Sequence, residues 1–495
     1  MRTVLVLMDT LKRDMLSVYH KDTFVQTPNI TAFAKEATVF DNHFIGSAPC
    51  MPARRDILCG RLNFLERSWG PIEPFDITLP DVLKQHDIFT HITTDHCHYF
   101  RTGGEGYVQQ FHTWDFHRGQ EGDPWVSCID DPSNMPTDYY GKVRRQYQWN
   151  RTRWPHEEEY PSPKTFQSAC DWLDDNKGKD DFFLMVEAFD PHEPFDVPES
   201  YMKLYEETHL DKDYFEIPDY ARVNVPDDAK DYLQKRYAAL VTMTDHWFGK
   251  LMQQLKDLDM FEDTLIVMTT DHGYFLGEHD YFGKNFMHLY NELAHLPCIV
   301  HFPGNQLSGE RIDQLTQNID IMPTVLAYHG IQRPSSIQGV SWKTLVDEPQ
   351  TYHKNYAVYG YHAMAVNITD GTYTLFQAPN KENKPCYEYT CLPMTIRKFL
   401  GKGIEKEIET GRYFKRTDYP MYRIPVYAPS IIDNVACGLK EVSESQLFDI
   451  VKDHEQQNNL YDSHPDIREH MQTLLRHALV ELDAPKEQLE RINLI

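Results

Sequence analysis

The sequence predicts an α/β fold followed by a smaller C-terminal α+β domain. Short, wholly apolar runs alternate with helical segments over the first 350 residues, the pattern of a parallel sheet covered on both faces. Polar residues gather just past the ends of those runs, where open α/β sheets bind ligands. After about residue 350 the texture changes to alternating, Tyr- and Val-rich stretches and one long helix.

Residues 3–8, Thr-Val-Leu-Val-Leu-Met, read as a fully buried strand with Asp9 at its carboxyl end. Residues 28–37 read as a helix, with Thr27 as N-cap and Pro28 at the first helical position. Residues 88–94 and 182–189 are two further strands, and 229–257 is a long helix. That helix leads into the strand Leu265 to Thr270, with Asp271 at its end, and Leu296 to Phe302 is one more strand. Thr94-Asp95-His96, Asp190-Pro191-His192 and Asp271-His272 thus join Asp9 as clusters at strand ends. Singly each reads as well as a turn; together they predict one crevice. Residues 356–376 alternate as antiparallel strands do, 463–483 are helical, and the Pro- and Tyr-rich stretch 384–430 reads as an irregular excursion. The expected division is a domain over 1–350 that carries the clusters and a smaller one over 351–495.

A chain of 495 residues with 41% hydrophobic and 25% charged residues has material for a large core. The net charge of -26, from 75 acidic and 49 basic residues, excludes nucleic acid as a natural partner, because phosphate binding needs a basic footprint. An anionic substrate would need a local basic pocket; salt screens the global field beyond about 8–10 Å. Nine irregularly spaced cysteines without a Cys-x-x-Cys pair argue against a disulfide framework. The apolar run Val4 to Met8 is too short for a signal-peptide core, and no stretch has membrane-spanning length. As written, the chain reads as cytoplasmic, with no membrane partner.

The sharpest feature is Cys50-Met51-Pro52-Ala53-Arg54, followed by Gly60-Arg61. A cysteine chosen at random is a buried small hydrophobe, but this segment resembles the signature Cys-x-Pro-x-Arg of type I sulfatases, in the alkaline phosphatase superfamily. Ala53 stands where that family more often has Ser. The resemblance spans nearly the whole chain. It includes Val4 to Asp9 with Leu11-Lys12-Arg13-Asp14, Asp190-Pro191-His192-Glu193-Pro194-Phe195, Thr270-Asp271-His272-Gly273 with Leu276-Gly277-Glu278-His279 and Lys284, Asp320-Ile321-Met322-Pro323-Thr324, and Leu447-Phe448-Asp449 through Asn459-Leu460.

The resemblance implies a large, mixed, mostly parallel sheet sandwiched by helices, and hydrolysis of sulfate monoesters of a carbohydrate or an aryl alcohol. It implies that Cys50 is oxidised to formylglycine by a maturation enzyme and hydrated to a geminal diol that attacks sulfur. It implies a divalent metal held by Asp9, modified Cys50, Asp271 and His272. Hard oxygen ligands suit Ca²⁺, the favoured ion; the imidazole and the reduced carboxylate count let Mn²⁺ or Zn²⁺ compete, since Thr10 and His272 stand where many sulfatases carry Asp and Asn. Arg54 is implied to support the nucleophile, Lys284 to contact a sulfate oxygen, and His192 to face the bridging oxygen and protonate the leaving alcohol. Thr94-Asp95-His96-Cys97-His98 lies where the family has Thr-Gly-Lys-x-His. His98 matches the histidine that takes the hydrate proton, and His96, as a substrate contact, replaces a lysine with a group that titrates near neutrality.

Trp114-Asp115-Phe116, Arg118-Gly119-Gln120-Glu121 and Asn291-Glu292 read equally as substrate contacts or as packing, and Cys59 as a buried thiol. Two other functions compete. A phosphonate monoester or phosphodiester hydrolase of the same superfamily shares the modified cysteine, the Asp-His pair and the missing lysine. A silent binding protein on this scaffold is disfavoured by the complete Cys50-Pro52-Arg54 motif.

Overall fold

A computed structural model describes residues 1–284, 287–396, 399–400, 404–426 and 444–495. Its centre is an eight-stranded sheet in the order Arg311–Ile312, Thr38–Phe40, Cys298–His301, Thr264–Thr269, Arg2–Met8, Phe182–Ala188, Phe89–Thr94, Thr113–Phe116. Cys298–His301 runs antiparallel to both of its neighbours, and every other pairing is parallel. The fold is therefore α/β with a large, mixed, mostly parallel sheet.

Side-chain alternation explains why the central strands are apolar throughout. Val4, Val6 and Met8 pack into one core with the helices Pro28–Lys35, Pro161–Asp175 and Asp227–Asp257. Leu5 and Leu7 point the other way, into a core shared with the helices Cys50–Cys59, Leu79–Lys84 and Ile321–Tyr328. A strand buried on both faces has no polar side.

The other strands fall close to expectation, with local differences. Pro297 has no N–H to give a ladder, and the stretch expected at 296–302 is split into His295–Leu296 and Cys298–His301, which join different sheets. Thr27 precedes its helix, but its side chain makes no capping bond. The strands Ala357–Tyr361, Val366–Thr369 and Tyr373–Gln377 form an antiparallel sheet with Gln446–Asp449, and Ser47–Ala48, just before Cys50, completes its far edge. The helix Pro465–Glu481 packs on this sheet.

The stretch 384–430 is not wholly irregular. Tyr387–Thr390, Met421–Pro425 and Glu409–Gly411 form a three-stranded antiparallel sheet; residues 397–398, 401–403 and 427–430 of it lie outside the described residues. Eight cysteines are described and all are free thiols. Among the described residues, no helix is long and apolar enough to cross a membrane.

Candidate active site

Four segments end at the carboxyl edge of the sheet and meet there. Asp9 follows Arg2–Met8, Asp271-His272 follows Thr264–Thr269, Asp95-His96 follows Phe89–Thr94, and Asp190-Pro191-His192 follows Phe182–Ala188. Cys50 opens the ten-residue helix Cys50–Cys59, all of it buried, so the residue lies at the positive end of the helix dipole. The helix ends at Gly60, whose φ of 60° suits a residue without Cβ. Asp56 anchors the approach to it by accepting from the Ser47 amide and hydroxyl and the Asn63 amide.

Arg54 lies one helical turn after Cys50 and organises the centre. Its Nε donates to Glu187 at 2.6 Å, Nη2 to Asp9 at 2.8 Å, and Nη1 to Asp271 at 2.5 Å and to the Cys50 carbonyl at 3.1 Å. All four side chains are fully buried. Burial alone would raise the Asp9 carboxyl, but Arg54 and Lys284 hold it well below the usual carboxylate range. Thr10 links these groups: its hydroxyl donates to Asp9 at 2.6 Å and accepts from Lys284 Nζ at 2.9 Å. Burial would lower the Lys284 ammonium, but Cys50, Asp9 and Glu193 raise it, so it stays charged.

Asp9, Cys50, Asp271 and His272 each bring a ligand atom within 4.8 Å of the others. His272 Nδ1 donates to the Gly273 carbonyl at 2.8 Å, which leaves Nε2 as the acceptor, 3.2 Å from Cys50 Sγ. Burial pushes this imidazole down to about 4, so it is neutral, as a ligand must be. Three buried carboxylates, Asp9, Asp271 and Glu187, face two buried fixed cations, Arg54 and Lys284. This donor set fits a divalent cation, whose charge would turn the pocket positive toward an anionic ester.

The histidines occupy one wall. His96 is fully buried, with Nδ1 3.8 Å from Asp9 and 3.9 Å from Glu187, and its Nε2 lies 3.2 Å from His98 Nδ1. Burial, with Arg54 and His98 beside it, holds His96 well below its ordinary value. His192 Nδ1 donates to the Glu193 carbonyl at 2.6 Å, leaving Nε2 as its other ring nitrogen, and the ring packs on Phe189. Thus Asp9, Cys50, Arg54, Asp271, His272 and Lys284 form one contact network, His96 touches it, and His98 lies one imidazole further out. Trp114 is exposed on an edge strand, Asn291 is tied to Gln456 and His454, and Cys59 is buried.

Glu187 escaped the reading of the sequence, and so did Tyr99, whose hydroxyl donates to it at 2.6 Å. The signal for Glu187 was present: it is the single charge in the apolar run 182–189. Behind the wall, Asp95 and Asp190 share Gln120 Nε2 at 3.0 Å each. Burial pushes Asp95 up to about 6. The fold holds this proton more tightly than a free aspartate does, so protonation stabilises it, and that stabilisation is lost as pH rises through about 6. Asp95→Asn cannot ionise. Its melting temperature should therefore rise relative to the parent between about pH 4 and about pH 6; a constant difference across that window would contradict the raised value.

The Sulfatase family model matches residues 2–331. An arylsulfatase of Clostridium perfringens is 24% identical over 405 residues, 73% of this chain and 81% of that protein. The solved structure of a protein in complex with its substrate D-glucosamine-2-N,6-O-disulfate has the same fold, with a TM-score of 0.63 and 17% identity over 98% of each chain. So has the phosphonate monoester hydrolase of Agrobacterium radiobacter, with a TM-score of 0.64 and 17% identity over 98% of this chain and 95% of that one. With the motif helix, the carboxylate pair and the family match in one place, the chain belongs to the sulfatase family and is a hydrolase of sulfate esters.

Proposed function

We propose that this protein cleaves sulfate monoesters of a saccharide through a formylglycine made from Cys50, with a divalent cation, Ca²⁺ in first place, held by Asp9, Cys50, Asp271 and His272. The observation that carries the reading is the setting of Cys50. It opens a buried helix, its Sγ lies 3.2 Å from His272 Nε2, and Asp9 and Asp271 bring carboxylate oxygens within 4.8 Å of it. Hard carboxylate ligands favour oxygen over sulfur beside the cation, which supports an oxygen nucleophile at the same carbon.

Maturation removes two electrons from the Cys50 Cβ: thiol and water give aldehyde and sulfide, and the electrons pass to an external oxidant through a maturation enzyme. Water then adds to the aldehyde to give two hydroxyls on one carbon. One hydroxyl gives its proton to a carboxylate of the centre and attacks sulfur as the S–O bond to the alcohol breaks, and His192 gives the leaving oxygen its proton. The second hydroxyl then loses its proton on the His98 side, the carbonyl re-forms, and sulfate leaves. Lys284 and Arg54 hold negative charge in place during these steps, and a divalent cation held by Asp9, Cys50, Asp271 and His272 would supply polarisation of the ester oxygens. Asp9→Asn and Asp271→Asn should each lower metal content and rate together, the rate by about 10²-fold or more. Elemental analysis beside kinetics tests this; full metal occupancy in both variants would mean that the site lies elsewhere.

Phosphonate monoester or phosphodiester hydrolysis is the second reading, favoured by the absence of a lysine at position 96 and by the fold shared with a phosphonate hydrolase. These esters and sulfate monoesters all carry one negative charge. A phosphate monoester is close to doubly charged near neutrality, and a pocket with neutral His96 has one fixed cation fewer to hold it. Phosphate monoesters should therefore be poor substrates. His96→Lys should raise the phosphate-to-sulfate rate ratio by about tenfold; an unchanged ratio would show that residue 96 does not act on the substrate.

A further inference from the structure

Beside the reacting centre lies a charged cluster that the proposed chemistry does not use. Glu121, with a backbone φ of 50°, turns its carboxylate inward so that only 8% of the side chain is exposed. Two guanidinium groups from different segments close on it. Arg144 Nη2 lies 2.6 Å from Oε1, and Arg101 Nη2 lies 3.8 Å from Oε2. The arginines reach solvent where Glu121 does not, with 28% of the Arg101 side chain and 37% of the Arg144 side chain exposed. Between them the chain has no side chain: a Cβ on Gly122 would sit 3.5 Å from Arg144 Nη1 and 3.7 Å from Arg101 Nη2.

The cluster adjoins the centre. Glu121 Oε2 is 3.7 Å from His98 Nε2, His98 contacts His96, and His96 faces Asp9. Arg144 is also within electrostatic range of Glu193 and Tyr220, and Glu193 contacts His192. Burial would raise the Glu121 carboxyl, yet Arg144 and the neighbouring histidines hold it at about 2, so it is charged. Cys97, His98 and Glu121 come close enough to suggest a cation site, but the two guanidiniums beside Glu121 oppose a cation. The buried member of the cluster is the carboxylate and the members open to solvent are the guanidiniums, so the face presented to a ligand favours an anion.

We propose that Arg101 and Arg144, converging over Gly122, form a subsite for a second anionic group, a sulfate or carboxylate on the same saccharide as the scissile sulfate ester. The inference rests on the sulfatase reading and narrows its substrate class to doubly charged sugars. Glu121 fixes the two guanidiniums before substrate arrives, which reduces the ordering cost of binding. Their remaining N–H groups are suited to the paired oxygens of a carboxylate or sulfate.

The test uses full-length enzyme with the Cys50 aldehyde confirmed by peptide mass. Substrates are 4-nitrophenyl sulfate and matched hexosamine and uronic acid sugars carrying one sulfate, alone or with a second sulfate or carboxylate. The expected kcat/KM for the best doubly charged sugar exceeds that of its singly charged partner by about tenfold or more. Arg101→Gln, Arg144→Gln and Gly122→Leu should each lower that ratio by about tenfold, chiefly through KM. Gly122→Leu keeps all three charges and fills only the space between the guanidiniums, so it answers the question if an arginine variant folds poorly. A parent ratio near one, a ratio unchanged in all three variants, or turnover of the aryl ester with none of the doubly charged sugars overturns the subsite. No turnover of any sulfate ester by the modified enzyme overturns the sulfatase reading itself, and the subsite with it.

Discussion

Replacing Cys50 with Ala should reduce turnover by a factor on the order of 10⁴ or more while the protein remains folded. Both halves follow from its position. Cys50 is the first residue of a buried helix, and its backbone, not its side chain, accepts the Arg54 bond. Alanine keeps that carbonyl, favours the helix and deletes a single sulfur. The melting temperature should stay within a few degrees of the parent. Among the described residues, the hydroxyl that meets Asp9 is that of Thr10, which is already engaged with Asp9 and Lys284 and does not replace the lost nucleophile. Steady-state kinetics beside a thermal melt check the prediction. Activity retained in a folded variant would remove the chemical basis of the proposed function.

Arg54→Met should give the largest loss of stability of any single change at the site. Arg54 neutralises Asp9, Asp271 and Glu187, all fully buried, and its removal leaves like charges facing one another without solvent. Breaking a buried pair by removing one partner costs about 3–5 kcal/mol, read as a lowered denaturation midpoint at pH 7. The loss should shrink on acidification. Burial already pushes Glu187 above the usual carboxylate range, with Arg54 acting against it. Without Arg54 the folded state binds protons still more readily than the unfolded chain, so the variant gains stability as pH falls. A deficit that grew toward pH 5 would contradict this charge balance.

Much of the site was legible because its residues occupy positions with few physical meanings. Asp9 and Asp271 close apolar runs that could only be buried strands, and parallel pairing of those strands to their neighbours brings the carboxylates together at one edge. Cys50 and Arg54, four residues apart, share a helix face, so the motif spacing places the guanidinium under the nucleophile. Glu187 stayed hidden because a charge in a strand interior cannot be assigned a partner until Arg54 is placed beside it. Arg101 and Arg144 stayed hidden, and Glu121 read equally as a substrate contact or as packing, because their meeting depends on loop geometry, and no periodicity reports a loop. Ser47–Ala48 joins the C-terminal sheet through a two-residue strand, too short for any alternation to show. The three-stranded sheet within 384–430 was obscured by its many prolines and by connections longer than its strands.

The central claim is that this site cleaves the S–O bond of a sulfate ester with an oxygen nucleophile on the Cys50 carbon. The most direct measurement is a rate comparison on one preparation in which peptide mass confirms the Cys50 aldehyde, using a sulfate monoester, a phosphonate monoester and a phosphodiester with the same leaving alcohol. The sulfate ester should have the highest kcat/KM, and protein carrying the unmodified thiol should turn over none of the three. Faster turnover of the phosphonate monoester or the phosphodiester, or equal rates from modified and unmodified protein, would contradict the account.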